Sequence, residues 1–337
     1  MTKRKTLTYV GSGYMDRLAG LSENGTSSFD IEVSLTQDLG ALFRAVCLRA
    51  DYDVAELSLS NYLSMRGNGD TRYIAIPVFP SRSFRHAQIY VSAASGITTP
   101  EQLRGCRAAI SEYHMTAGVW MRAFLEHDFG VSPSEIEWHT PDHSVAYIDE
   151  VGFPVPDDVS LVAAAGPLEE LLDSGEVDAL FAVKAPSSYE RGSPNVKRLF
   201  PDYRAVEAHY FQRTGLFPIM HTVVINSETY ANDRSVAMEL LQAFDAAKQA
   251  GIRRLTDLNA TAIVHPWIGA VLADVVELFD GDPFVYGIPP NRRTLQALLD
   301  YHFEQGLTRE RLTTTSVFAP ETLEWIPPVD SLRNHRW

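Results

Sequence analysis

The chain has 337 residues, 45% of them hydrophobic and 21% charged, a globular composition at a length that suits two domains. Its 29 Lys and Arg against 43 Asp and Glu leave a formal charge of −14, which argues against nucleic acid or an anionic membrane as partner, because both select a basic surface. A small anionic ligand stays open, since a few arginines inside a cleft outweigh the global sign.

The N-terminal "MTKRK" has the basic start of a secretory leader. The apolar part behind it is broken by Gly11, Ser12 and Gly13 and ends at Asp16 and Arg17, too short for a leader core. No stretch of about 18 apolar residues predicts a membrane span. Cys47 and Cys106 read as reduced thiols, so a cytoplasmic location is expected.

"KTLTYVGSGYMD" predicts a strand and a glycine turn. Asp16 stands where a dinucleotide fingerprint needs its third glycine, so that reading fails. Over 36–52, apolar residues at 39, 42, 43, 46 and 47 have helical spacing. A short strand around Val54–Leu57 leads into a hydroxyl-rich loop or helix start, and alternation puts Glu56, Ser58 and Ser60 on one face. Strands are expected at 72–80 and 87–93, with "SRSFRH" between them. Thr99 and Pro100 open a short helix, "RAAIS" is a strand, and "HMTAGVWMRAFLEHDFG" is a helix closed by Gly130. Residues 141–166 read as loop, and 166–183 as helix, turn and strand. "TGLFPIMHTVVIN" (214–226) predicts a buried strand with a titratable His221 at its mouth. Helices follow at 235–257, "WIGAVLADVVELFD" and "RTLQALLDYHFEQG", and a Pro-rich tail straps over the surface.

Two helix–strand units therefore lie between two strand-like stretches, 72–93 and 217–226, placed to cross between lobes. The expected fold is α/β and bilobal, with 1–92 and 222–337 forming lobe one, 93–221 lobe two, and a ligand cleft between them. Ligands in such folds meet strand C-termini and helix N-termini.

Ser81, Arg82, Ser83, Arg85 and His86 form either an anion clamp at the crossover or a solvated turn. Tyr113, His114 and Thr116 sit between a strand and a helix, where hydroxyls also serve as caps. His221 is either a backbone-satisfied histidine or a general acid or base. The other histidines considered, at 127, 139, 143, 209, 302 and 335, read as surface residues. There is no HExxH, P-loop, GxSxG or Cys/His cluster, but a metal site from distant residues such as His86, His221 and Glu56 stays open.

"IPVFPSRSFRH", "EYHMTAGVWMRAFL", "DALFAVKAPSSY" and "TGLFPIMHTVVI" resemble the 4,5-dihydroxyphthalate decarboxylase family, over roughly residues 50–320. That resemblance implies a type 2 periplasmic-binding-protein-like fold. It also implies a carboxy-lyase that converts 4,5-dihydroxyphthalate to 3,4-dihydroxybenzoate and CO2. Three departures bear on the substrate. "GYMDR" keeps Asp16 and Arg17 of the family's Asn-Tyr-Asp-Arg but displaces Tyr14 by one place. His114 stands where members often carry Gln, and Lys184 falls near an arginine position. On this reading Ser81, Arg82 and Arg85 hold carboxylates, and His221 is the first choice of proton donor, His86 the second. Glu56, Asp16 or Tyr113 assists the base at the phenol, and Arg17, Ser58, Ser60, His114, Thr116 and Lys184 complete the cleft. The scheme needs no organic cofactor; a divalent metal on the catechol oxygens is an alternative. The partner is a small aromatic carboxylate, and a homo-oligomer is compatible with the reading. Two alternatives remain at this level: a non-catalytic carboxylate-binding protein or solute receptor, and a related decarboxylase acting on another aromatic acid.

Overall fold

A computed structural model describes residues 4–14, 18, 20–21, 26–257, 259, 263–328 and 332. Among the described residues, eleven strands divide between two sheets. The first contains β1 (Lys5–Ser12), β2 (Phe29–Thr36), β3 (Val54–Ser58), β4 (Tyr73–Ile76) and β11 (His221–Asn226). The second contains β5 (Ile89–Ser92), β6 (Arg107–Ile110), β7 (Glu137–Thr140), β8 (Ser160–Ala163), β9 (Ala179–Phe181) and β10 (Val196–Arg198). Their orders are β2-β1-β3-β11-β4 and β10-β5-β9-β6-β7-β8. The helices are α1 (Leu39–Leu48), α2 (Leu59–Gly67), α3 (Thr116–Phe129), α4 (Asp142–Val151), α5 (Leu168–Ser174), α6 (Ser187–Glu190), α7 (Tyr203–Thr214), α8 (Ser227–Asn232), α9 (Ser235–Thr256), α10 (Ile268–Phe279), α11 (Arg292–Glu304) and α12 (Thr314–Val317). Among the described residues no helix is long and apolar enough to cross a membrane.

β1, β2 and β3 run parallel, and β11 enters antiparallel between β3 and β4. A strand buried on both faces must be apolar throughout, and Val223, Val224 and Ile225 are fully buried. β11, late in the chain, thus returns to the sheet of β1 to β4. Ile89–Ser92, expected in lobe one, instead pairs with β9 and β10 in the second sheet. The region 141–166, expected as loop, holds α4 and β8. Pro141 and Gly152 bound α4, and only Ser144, Tyr147 and Ile148 are buried on it, too few for a clear period. β2 was not anticipated either; half its positions face solvent at the sheet edge.

The two crossings between lobes pair with each other. Arg82 and Ile219 form an antiparallel bridge, flanked by Ser83 N–H to Pro218 O (3.1 Å) and Met220 N–H to Ser81 O (2.9 Å). Trp120 of α3 donates to Ile219 O at 3.0 Å, which ties the second lobe to this hinge. The tail returns to the first sheet, where Ala319 N–H meets Ala75 O at 2.9 Å.

Candidate active site

Register builds the site. His221 lies opposite Ser58, and Val223 opposite Glu56, so Glu56 is the diagonal neighbour of His221 on one face of the sheet. Long side chains reach across that diagonal. Glu56 Oε1 stands 2.6 Å from His221 Nδ1 and accepts the Tyr14 hydroxyl at 2.9 Å. The Ser12 N–H donates to Glu56 Oε2 at 2.8 Å. Glu56 is fully buried, so its oxygens rely on these three partners in place of water. Tyr14 Oη is also 3.4 Å from Nδ1, and the Phe43 ring meets the imidazole edge-on at 4.9 Å.

A carboxylate on Nδ1 fixes the ring orientation and leaves Nε2 for other chemistry. No described residue bonds Nε2. Gly11 is needed for this arrangement. A Cβ there would come within 2.2 Å of Tyr9 Oη and 2.9 Å of Glu56 Oε2. The glycine that suggested a nucleotide turn thus makes room for a carboxylate.

The two arginines of "SRSFRH" separate. Arg82 turns away, donating to Asn291 Oδ1 and Phe217 O, both at 2.7 Å. It lines an apolar cavity of about 500 Å³ with Phe279, Phe284 and Ile252, away from Glu56 and His221. Burial lowers its guanidinium to about 9, so it stays charged at neutral pH. Its assignment to the carboxylate clamp is therefore corrected: it is a hinge post. Arg85 differs. Its Nε meets only Met220 Sδ (3.1 Å), and Nη1 reaches Val183 O at a long 3.4 Å. Burial lowers it to about 10, opposed by attraction to Tyr14 and Glu207. Ser81 adjoins the site through its backbone, its carbonyl accepting the Met220 and His221 N–H groups.

His86, the second candidate donor, is not brought to His221. It stacks on Phe124 at 4.0 Å inside the second lobe, and burial lowers it to about 4. The trio His86, His221 and Glu56 is thus no metal site, and no group of three or more His, Cys, Asp and Glu among the described residues is placed to hold an ion. Tyr113 is core: Arg122 lies over its ring at 3.9 Å. His114 is buried too, between Ser64 Oγ (2.9 Å) and Pro154 O (2.8 Å), and burial holds it well below the usual imidazole range. His302, read as a surface residue, is buried against Ser60 O. Lys184 is exposed and attracted to Glu169. Ser58 caps α2 and lies 2.9 Å from Thr116 Oγ1, while Ser60, placed by alternation on the strand, is already helical. Asp16 and Arg17 lie outside the described residues.

Tyr14, Phe43 and Glu112 were missed as site residues. Tyr14 follows a glycine turn and Glu112 a strand end, and neither position carries a periodic signal. Glu112 Oε1 accepts from Asn61 Nδ2 at 3.3 Å, and burial pushes its carboxyl up to about 7.

No family model matches the chain. It is 35% identical over 319 residues to 4,5-dihydroxyphthalate decarboxylase of Comamonas testosteroni, covering 94% of this chain and 97% of that protein. The chain belongs to the 4,5-dihydroxyphthalate decarboxylase family. A second 4,5-dihydroxyphthalate decarboxylase, from Pseudomonas putida, is 36% identical over 183 residues, 53% of this chain and 71% of that one. Among solved structures, the sulfonate-binding protein SsuA from Methylobacillus flagellatus KT aligns with a TM-score of 0.56 at 13% identity, covering 95% of this chain and 93% of that one. SsuA from Escherichia coli aligns with a TM-score of 0.53 at 12% identity, over 95% and 99%. At that identity the likeness speaks for the fold alone: a decarboxylase family member is built on the bilobal frame of type 2 periplasmic binding proteins. The Glu56–His221 pair then sits where β3 ends and β11 begins, beside the hinge of that frame.

Proposed function

We propose that the chain is a non-oxidative decarboxylase of a hydroxylated aromatic dicarboxylate, converting 4,5-dihydroxyphthalate to 3,4-dihydroxybenzoate and CO2. What carries the reading is the buried Glu56 carboxylate on His221 Nδ1, joined to nearly full-length likeness to a decarboxylase. The substrate has a hydroxyl para to each carboxyl-bearing carbon. Loss of its proton pushes electron density onto that carbon, which can then accept a proton. Cleavage of the bond to CO2 restores the aromatic ring. One proton is consumed for each CO2 released.

His221 supplies that proton from Nε2. Glu56 holds the ring in register, with Tyr14 and the Ser12 N–H keeping the carboxylate aimed. Arg85 receives a substrate carboxylate, since no strong acceptor among the described residues occupies it. Lobe closure at the hinge excludes water and strengthens these contacts. The free, buried Cys47 and Cys106 suit a reducing compartment, and we place the activity in the cytoplasm.

Incubation with 4,5-dihydroxyphthalate and a panel of hydroxybenzoates, followed by CO2 and product detection, tests the reading. CO2 with 3,4-dihydroxybenzoate is expected. Saturable binding of the panel without CO2 would instead make the protein a receptor on the same frame.

A further inference from the structure

Glu112 is the one acidic side chain of the turn between β6 and α3. That turn is pressed against the end of β3. Thr116 Oγ1 accepts the Ser60 N–H and lies against Ser58 Oγ, both at 2.9 Å. Ser58 faces His221 in the strand register. From Ser58 a polar chain continues to Asn61 Oδ1 (2.9 Å), and from Asn61 Nδ2 to Glu112 Oε1 (3.3 Å) and Tyr147 Oη (3.2 Å). Glu112 therefore stands on the second lobe, at the closed end of the network that starts beside His221. Among the described residues its side chain makes one hydrogen bond, a long one, and the residue is half-buried.

We propose that Glu112 is the second proton-transfer group of the site, acting from the opposite lobe on the substrate hydroxyl para to the carbon that His221 protonates. This rests on the decarboxylase reading above. The balance is simple. A Glu112 carboxylate oxygen takes the phenolic proton, and the freed oxygen pair moves into the ring. The para carbon forms its C–H bond with the His221 proton. The bond to CO2 then breaks, its electron pair restores aromaticity, and Glu112 returns its proton to the oxygen. Solvent re-protonates His221.

The surroundings suit a base that works near neutrality. Burial raises Glu112 to about 7. Arg44 of α1 and Arg122 of α3 pull it down from two sides, Asn61 of α2 hydrogen-bonds it, and Cys47 of α1 and Tyr147 of α4 are the other titratable groups coupled to it. Arg44 follows Phe43, whose ring packs on His221, so α1 carries both a residue against His221 and a charge that acts on Glu112.

The test is the pH dependence of kcat/KM for CO2 release from 4,5-dihydroxyphthalate by wild type, Glu112→Gln and Glu112→Asp, with substrate affinity from calorimetry and a thermal melt on each. The expected result is a wild-type limb that rises through pH of about 7. Glu112→Gln loses that limb and about 100-fold or more of kcat. Its affinity should stay within about threefold and its melt no lower than wild type, and Glu112→Asp should restore the limb. A Gln variant that keeps the limb and wild-type kcat overturns the inference and leaves the decarboxylase reading standing. Wild type that binds the substrate yet releases no CO2 overturns both.

Discussion

The difference between Arg82 and Arg85 is one of available acceptors. Three residues apart, they read identically as a carboxylate fork. Backbone pairing of Arg82 with Ile219 commits its guanidinium to Asn291 and Phe217, while Arg85 is left with a thioether and a distant carbonyl. Arg85→Ala should therefore weaken 4,5-dihydroxyphthalate binding by about 10-fold or more, the scale of a hydrogen bond to a charged group. Arg82→Ala should leave affinity within about threefold and lower stability by about 2 kcal/mol, since it removes both hinge bonds. Calorimetry and urea titration of both variants separate the roles; a reversed pattern would return the clamp to Arg82. Glu56 and His221 were legible as candidates because strand alternation and the β-branched run fixed their faces. Tyr14 and Glu112 were not, because loop residues take their direction from tertiary contacts that no period encodes.

At the scale of elements, the strongly periodic segments were legible: α1, α3, α9, α10 and α11 fall where apolar spacing put them. The hinge was legible as two crossing stretches, but not as a pair bonded to each other. Its stability draws on Trp120, which reaches from α3 to Ile219 O inside a continuous core. Trp120→Phe keeps the packing and strips the donor, leaving a buried carbonyl without its partner. The expected cost is about 1–2 kcal/mol in urea unfolding. A change under about 0.3 kcal/mol would mean that the hinge does not depend on this bond.

At the scale of the whole molecule, three buried histidines among the described residues are held neutral. Burial lowers His86 to about 4 and His302 to about 3, and puts His114 well below the ordinary value. The unfolded chain takes up protons near pH 6.5 that the folded one refuses, so their contribution is complete above that pH and lost as pH falls toward 4. Four carboxyls that burial raises, Glu112 (to about 7), Glu126, Glu207 and Asp245, work in the opposite sense, losing stability as pH rises above the ordinary carboxylate range. The urea midpoint of His302→Gln should therefore fall less between pH 7 and pH 5 than that of wild type; an identical pH dependence would show that this histidine is not buried neutral. The bilobal plan itself was legible, because helix–strand units between two crossing stretches leave few other topologies. The exchange of Ile89–Ser92 into the second sheet was not, since a four-residue apolar strand pairs equally well with either lobe.

Everything proposed for catalysis turns on His221 as the proton donor held by Glu56. The most direct test is kcat for CO2 release from 4,5-dihydroxyphthalate by His221→Ala, measured beside wild type with circular dichroism to confirm the fold. Turnover should fall by about 100-fold or more with the fold intact; near-wild-type turnover would contradict the assignment.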